Sequence, residues 1–345
     1  MSATTWSRPS LENVPLAVMS DAAAVPLPLY RRRTGRLSIA AASLLASAMV
    51  LSTAFYATLA WMLAHPSVAA IASNPMEARQ LAYADVAFPD ADGRGELSGW
   101  WIPAGTAKTV VLSHGYGTNR EESWVSMYDI AAFLHRRNYN VLMFDYGYAD
   151  ARRRRPATGG VTESRQLIGA LQFARGRGSD EIVVWGFSMG AGTALQAALD
   201  TDLIDGMILD STFIPDADNI YSNIRRYVAL PKALTIGLLD RFFPSFSGVS
   251  LAQIPAEAAQ TTAFDYPVLV IYGTADDKAP ASISEHVAAA QRNPDSQLWI
   301  VPGALHEMSY RMHPDAYEKK TAAFLQTIDE ATTARRSEPP PTASA

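Results

Sequence analysis

The chain has 345 residues, enough for one large α/β domain with additions or for two small domains. With 48% hydrophobic and 18% charged residues its composition is that of a globular protein, and a net charge of −5 leaves no overall nucleic-acid footprint. The absence of cysteine excludes disulfides, thiolate metal sites and a cysteine nucleophile; the six histidines form no H-E-x-x-H-like cluster, so no metal and no cofactor are expected.

Residues 1–30 are rich in Ser, Pro, Ala and Thr without periodicity. A flexible tail is expected over 1–36, ending in the basic flank Arg31, Arg32, Arg33 and Arg36. From Leu37 to Leu63 no side chain is charged, and the run exceeds the roughly 20 apolar residues that cross a bilayer. Residues 37–63 are therefore expected to form a single transmembrane helix, an uncleaved signal anchor. The alternative is a cleaved signal peptide, for which Ala70-Ile71-Ala72 offers an A-x-A site, although the apolar run is longer than the usual h-region. No Lys or Arg follows Leu63 until Arg79, so the charge asymmetry places the N-terminus in the cytoplasm and the rest of the chain in the periplasm or exterior.

After a linker at 64–79, strand-like and helix-like runs alternate from about residue 80 to 330. Strands are expected at Ala82–Phe88, Glu96–Ile102, Thr109–Ser113, Asn140–Asp145, Glu181–Phe187, Gly206–Asp210, Pro267–Tyr272 and Gln297–Val301. The later runs, such as VLVIY, are continuously apolar, which predicts parallel strands buried on both faces. Helices are expected at Glu163–Arg175, Met189–Leu199 and Asp315–Ile328, and the alternation implies a mostly parallel eight-stranded α/β sheet with flanking helices. The interval of about 213–265 lacks a core strand; 219–229 and 232–243 read as helices punctuated by Pro231 and Pro244, a cap inserted over the sheet. Residues 331–345, ending SEPPPTASA, read as a disordered tail.

Gly186-Phe187-Ser188-Met189-Gly190 matches G-x-S-x-G and lies between the strand EIVVW and the helix MGAGTALQAAL. That strand–turn–helix setting exposes Ser188 at the sheet edge as a nucleophile. Its base is expected to be His306, after the last strand, and its acid Asp276, after the preceding strand. Asp277 is the alternative acid and Asp210 a reserve. The backbone N–H groups of Met189 and of Tyr116, in Ser113-His114-Gly115-Tyr116-Gly117, are expected to form the oxyanion hole, with His114 packing that loop. Arg152, Arg153, Arg154 and Arg155 read as a solvated charge run, or as a contact for lipid headgroups or an anionic substrate.

Strand-HGYG, GFSMG, GTADDKAP and GALH together resemble the α/β-hydrolase superfamily over residues 80–330. Within it they resemble membrane-anchored serine hydrolases of the prolyl-oligopeptidase-like and acyl-protein-thioesterase-like branch. Members often carry D-Y-R-G-x-G after the fourth strand, where this chain has Asp145-Tyr146-Gly147-Tyr148-Ala149. The resemblance implies an α/β-hydrolase fold and hydrolysis of an ester or thioester, of a small-molecule or lipid-like acyl substrate, through an acyl-enzyme. A serine peptidase is the enzymatic alternative, and a non-catalytic binding protein with the same fold the other.

Overall fold

Apolar on both faces, the strand runs of the C-terminal two-thirds have no polar side to turn to water, and they pair with one another. The computed structural model describes residues 1–2 and 30–337; the expected flexible tail lies outside the described residues from 3 to 29, and the expected disordered end from 338 to 345. Two units divide the chain, Met1–Ser52 and Thr53–Ala345.

In the first unit, residues Gly35–Leu51 belong to helix α1 (Tyr30–Ala64) and are exposed throughout. The expected apolar span 37–63 lies inside α1. Residues 30–36, expected to be flexible, are helical: arginine propagates a helix readily and the lone Gly35 weakens it by only about 1 kcal/mol.

In the second unit the last turns of α1 bury one stripe, Tyr56, Ala60 and Ala64, at helical spacing. The expected linker holds a short helix, α2 (Pro75–Arg79), started by the Asn74 side chain and by Pro75 in the first turn. The sheet follows: β1 (Ala84–Pro89), β2 (Glu96–Ile102), β3 (Lys108–Ser113), β4 (Asn140–Phe144), β5 (Glu181–Phe187), β6 (Gly206–Asp210), β7 (Val268–Gly273) and β8 (Gln297–Val301), in the order β1-β2-β4-β3-β5-β6-β7-β8. Pairings β1–β2 and β2–β4 are antiparallel and the rest parallel. Every residue of β4, β5 and β6 is buried, whereas the edge strands β1 and β8 alternate with solvent.

Helices α3 (Met127–Arg136) and α11 (Pro314–Ser337) cover one face. Helices α4 (Val161–Gly176), α5 (Met189–Ala198) and α9 (Ala281–Ala290) cover the other. Helix α11 runs past the expected boundary at 330, because no breaker interrupts it before Pro339. In the cap, α6 (Ala217–Ile224) is followed by α7 (Lys232–Ser247), which passes through Pro244 and stops at Gly248 in a left-handed conformation. The cap is shorter than expected, since α8 (Ala256–Thr261) packs on α5 and α9 within the flanking layer.

Asp145 follows β4 and is buried; its carboxylate accepts the Arg120 backbone N–H at 2.7 Å and the guanidinium at 2.7 Å. The guanidinium also lies over the Trp100 ring at 4.9 Å. Arg120→Met strands a buried charge and should lower stability to chemical unfolding by about 3–5 kcal/mol, with partial recovery in Arg120→Met/Asp145→Asn. A loss below about 1 kcal/mol, typical of an exposed pair, would contradict this account.

Candidate active site

Ser188 stands between β5 and α5 at φ 49°, ψ −119°, a strained conformation for an L-residue. Its amide donates to the Asp210 carbonyl at 2.9 Å. The flanking glycines are required by space. A Cβ at Gly186 would stand 2.6 Å from the Ala191 Cα, and one at Gly190 would stand 2.1 Å from the Ser113 carbonyl oxygen. Chain crossing at these two points turns the Ser188 hydroxyl out over the carboxyl edge of the parallel strands.

The loops after β7 and β8 bring two further predicted residues to that edge. His306 Nε2 lies 2.9 Å from Ser188 Oγ, and His306 Nδ1 lies 3.0 and 2.9 Å from the two Asp276 oxygens. Asp276 Oδ1 also accepts the amides of Lys278 at 3.0 Å and Ala279 at 2.9 Å. Burial alone would lower the His306 pKa, but the Asp276 hydrogen bond and the charges of Glu307 and Asp276 outweigh it and raise it. For Asp276, burial would raise the carboxyl pKa; the hydrogen bond and charge of His306, with the two amides, lower it on balance. The alternative acid, Asp277, is exposed and pairs instead with Arg226 of the cap. The reserve, Asp210, accepts from Tyr317 at 2.8 Å and Ser211 at 3.1 Å; burial pushes its pKa up to about 7.

Met189 is the first residue of α5, and Tyr116 stands in the loop after β3. Among the described residues neither backbone amide donates to a backbone or side-chain acceptor. The loop at Tyr116 is fastened from three sides. His114, fully buried, accepts the Tyr146 amide at 3.1 Å, and burial lowers its pKa to about 4. The Tyr148 hydroxyl donates to the Gly115 carbonyl at 2.7 Å, and the Gly115 amide donates to Glu122 at 3.0 Å. Tyr146 and Tyr148 thus support the loop from the segment that departs from D-Y-R-G-x-G. Of the arginine run, Arg155 pairs with Asp90 at 2.9 Å and Arg154 reaches the Val68 carbonyl at 3.3 Å, while Arg152 and Arg153 are exposed.

Two carboxyls here were not singled out from sequence. Glu307, at φ 58°, accepts Trp124 Nε1 at 2.7 Å and lies 3.8 Å from His306 Nε2. Glu122 meets it over Gly115, where a Cβ would stand 2.7 Å from Glu122 Oε1 and 2.6 Å from Glu307 Oε1. Glu307 follows a predicted base, but nothing in the sequence pairs it with Glu122. A cavity of about 350 Å³ opens over Ser188 and His306. Its walls are mostly apolar, with Phe213, Ile220, Ile224 and Phe243 from the cap region and Leu63 from α1. Among the described residues no three His, Asp or Glu side chains cluster as a metal site.

The sequence profile of the alpha/beta hydrolase family matches residues 110–320, more than half of the chain, and the chain belongs to that family. It is a hydrolase by family. Similar curated proteins include the uncharacterized protein YfhR of Escherichia coli K12, 26% identical over 253 residues that cover 70% of this chain and 79% of that protein. The uncharacterized protein YqkD of Bacillus subtilis 168 is 28% identical over 256 residues, covering 71% and 80%. Among solved structures, the esterase Pf2001 of Pyrococcus furiosus superposes with a TM-score of 0.62 at 25% identity, over 76% of this chain and 98% of that one.

Burial and the charge of Glu307 hold the Glu122 carboxyl well above its ordinary pKa of 4.5. The folded state thus keeps a proton that the unfolded chain releases, so this group's contribution to stability is present below about pH 4.5 and is lost as pH rises toward the raised value. Glu122→Gln imitates the protonated acid, still accepting from Gly115 and donating toward Glu307. Its melting temperature should fall less than wild type between pH 5 and pH 9. Parallel pH–stability curves for the two proteins would contradict a proton retained on Glu122.

Proposed function

We propose that this chain hydrolyses a carboxylic ester or thioester through an acyl-enzyme on Ser188. The observation that carries the reading is the relay from Ser188 Oγ to His306 Nε2 at 2.9 Å and from His306 Nδ1 to Asp276 at 2.9 Å, at the foot of an apolar cavity. The fold likeness to a Pyrococcus furiosus esterase supports it.

Ser188 Oγ adds to the acyl carbon while its proton passes to His306 Nε2. The carbonyl oxygen gains negative charge and is met by the Met189 and Tyr116 amides and the N-terminus of α5. Collapse expels the alkoxide or thiolate, which takes the proton from His306. Water then repeats the sequence: its proton goes to His306, its oxygen to the acyl carbon, and the proton returns to Ser188 as the carboxylic acid leaves. Asp276 holds the imidazole with Nε2 facing the serine and stabilises the imidazolium.

With p-nitrophenyl esters, Ser188→Ala and His306→Ala should each lower kcat by about 10⁶, because such residues act as a unit. Asp276→Asn should lower it by on the order of 10⁴. His306 accepts a proton only when neutral and its pKa is raised, so kcat/KM should fall as pH drops through a value above the ordinary 6.5. Near wild-type turnover in Ser188→Ala, or an acid limb well below pH 6.5, would overturn the mechanism.

The same reading anchors the enzyme in a membrane. Gly35–Ala64 is long and apolar enough to cross a membrane, an 18-residue window within it reaching a mean hydropathy of 1.8. About 20 residues cross the hydrocarbon core, so Gly35–Phe55 suffices and the last turns of α1 stay with the hydrolase domain. The basic flank keeps the N-terminus in the cytoplasm. With no native cysteine, Ser7→Cys and Asp295→Cys can be probed separately with a membrane-impermeant maleimide on intact cells. Labelling at 295 alone is expected. Labelling at 7 alone reverses the topology, and a mature mass lacking the first 70 or so residues identifies a cleaved signal.

A further inference from the structure

One part of the cavity wall comes from outside the segment that matches the family. Leu63, in the last turn of α1, lines the cavity beside Tyr116. The final carbonyls of a helix have no amide four residues on, and here Pro66 has no N–H to offer the carbonyl of Met62. Loops of the hydrolase domain supply the donors instead. The Tyr116 hydroxyl donates to the Leu63 carbonyl at 2.8 Å and lies 3.3 Å from that of Met62. The Ala157 amide donates to the Ala64 carbonyl at 2.7 Å.

Further bonds fix this segment and the residues just after it. The Tyr56 hydroxyl meets Thr235 Oγ1 of cap helix α7 at 3.1 Å. Asn119, three residues beyond Tyr116, donates to the Ala69 carbonyl at 2.9 Å, and the Ala72 amide donates to Glu121 at 2.8 Å. Ala60 and Ala64 are fully buried in the core. A membrane tether needs none of this: a flexible linker would hold a catalytic domain at the bilayer equally well.

We infer that Tyr56–Val68 is a working part of the active site: Leu63 walls the pocket against the acyl chain, and the Tyr116–Leu63 hydrogen bond positions the loop that carries the Tyr116 amide. The segment thereby selects esters of an extended aliphatic acyl group over short ones. This inference rests on the ester-hydrolysis reading and names which esters fit. Leu63 determines specificity, and the Tyr116 hydroxyl is a positioning group acting through its own backbone.

The test compares kcat/KM for p-nitrophenyl hexanoate and acetate, using the full-length chain in lipid nanodiscs. Their ratio on one sample is independent of how much of it is folded. Leu63→Trp should lower the ratio about tenfold or more, the scale on which an apolar pocket discriminates by a methylene or two. Leu45→Trp, at an exposed site of the same helix, should leave it unchanged. Tyr116→Phe should lower kcat about tenfold for both esters with little change in KM, since the amide acts only on the developing oxyanion. A ratio within twofold of wild type in Leu63→Trp overturns the wall, and an unchanged kcat in Tyr116→Phe overturns the positioning role. Hexanoate binding to the Ser188→Ala chain, measured by isothermal titration calorimetry, separates the two layers. Binding weakened by Leu63→Trp in a protein that hydrolyses no ester would retain the wall and discard the esterase reading. Turnover with a Leu63-independent ratio would do the reverse.

Discussion

Between the last residue of β5 and the first of α5 the chain turns within a single residue, Ser188, at a positive φ. Strain of this kind is on the order of 1–3 kcal/mol and persists only where the surroundings over-determine it. Here they do. Gly186 lies against Ala191, Gly190 lies against the carbonyl of Ser113 on the neighbouring strand β3, and the Ser188 amide is tied to Asp210 on the other neighbour, β6. The turn is therefore held by both flanking strands. Since the central strands are parallel, the loops after β3, β7 and β8 end at the same edge, and Tyr116, Asp276 and His306 converge on the serine. Without the close packing at Gly190, the approach of the β3 loop to the turn could not be kept.

Much of the framework was legible in the sequence because its signals are local. Continuous apolar runs mark β3 to β7, and five-residue G-x-S-x-G flanked by a strand and a helix marks the turn. Other features depend on distances along loops that a pattern does not measure. Asp276 and Asp277 differ by one position, and only the folded loop turns one to His306 and the other out to Arg226. Pro244 reads as a stop, yet α7 runs on to Ser247, with Phe243 and Ser247 buried on either side of the proline. Glu122 and Glu307 meet through tertiary structure alone, each an unremarkable acid in its own stretch of sequence.

The end of α1 belongs to the same category. Composition marks the helix as apolar and uncharged, which suffices to suggest a bilayer span. It does not reveal that the stripe Tyr56, Ala60 and Ala64 changes partner and faces protein. The end carbonyls of Met62 and Leu63 become acceptors for the Tyr116 hydroxyl, so helix termination and the pocket wall at Leu63 are one physical arrangement.

The account stands on Ser188 being an activated nucleophile, and the direct measurement is covalent capture. The purified full-length protein is treated with a fluorophosphonate, digested, and its peptides are mapped by mass spectrometry. One adduct is predicted, on Ser188, lost in His306→Ala although the serine remains. An unmodified Ser188, or an adduct confined to another residue, would contradict the account.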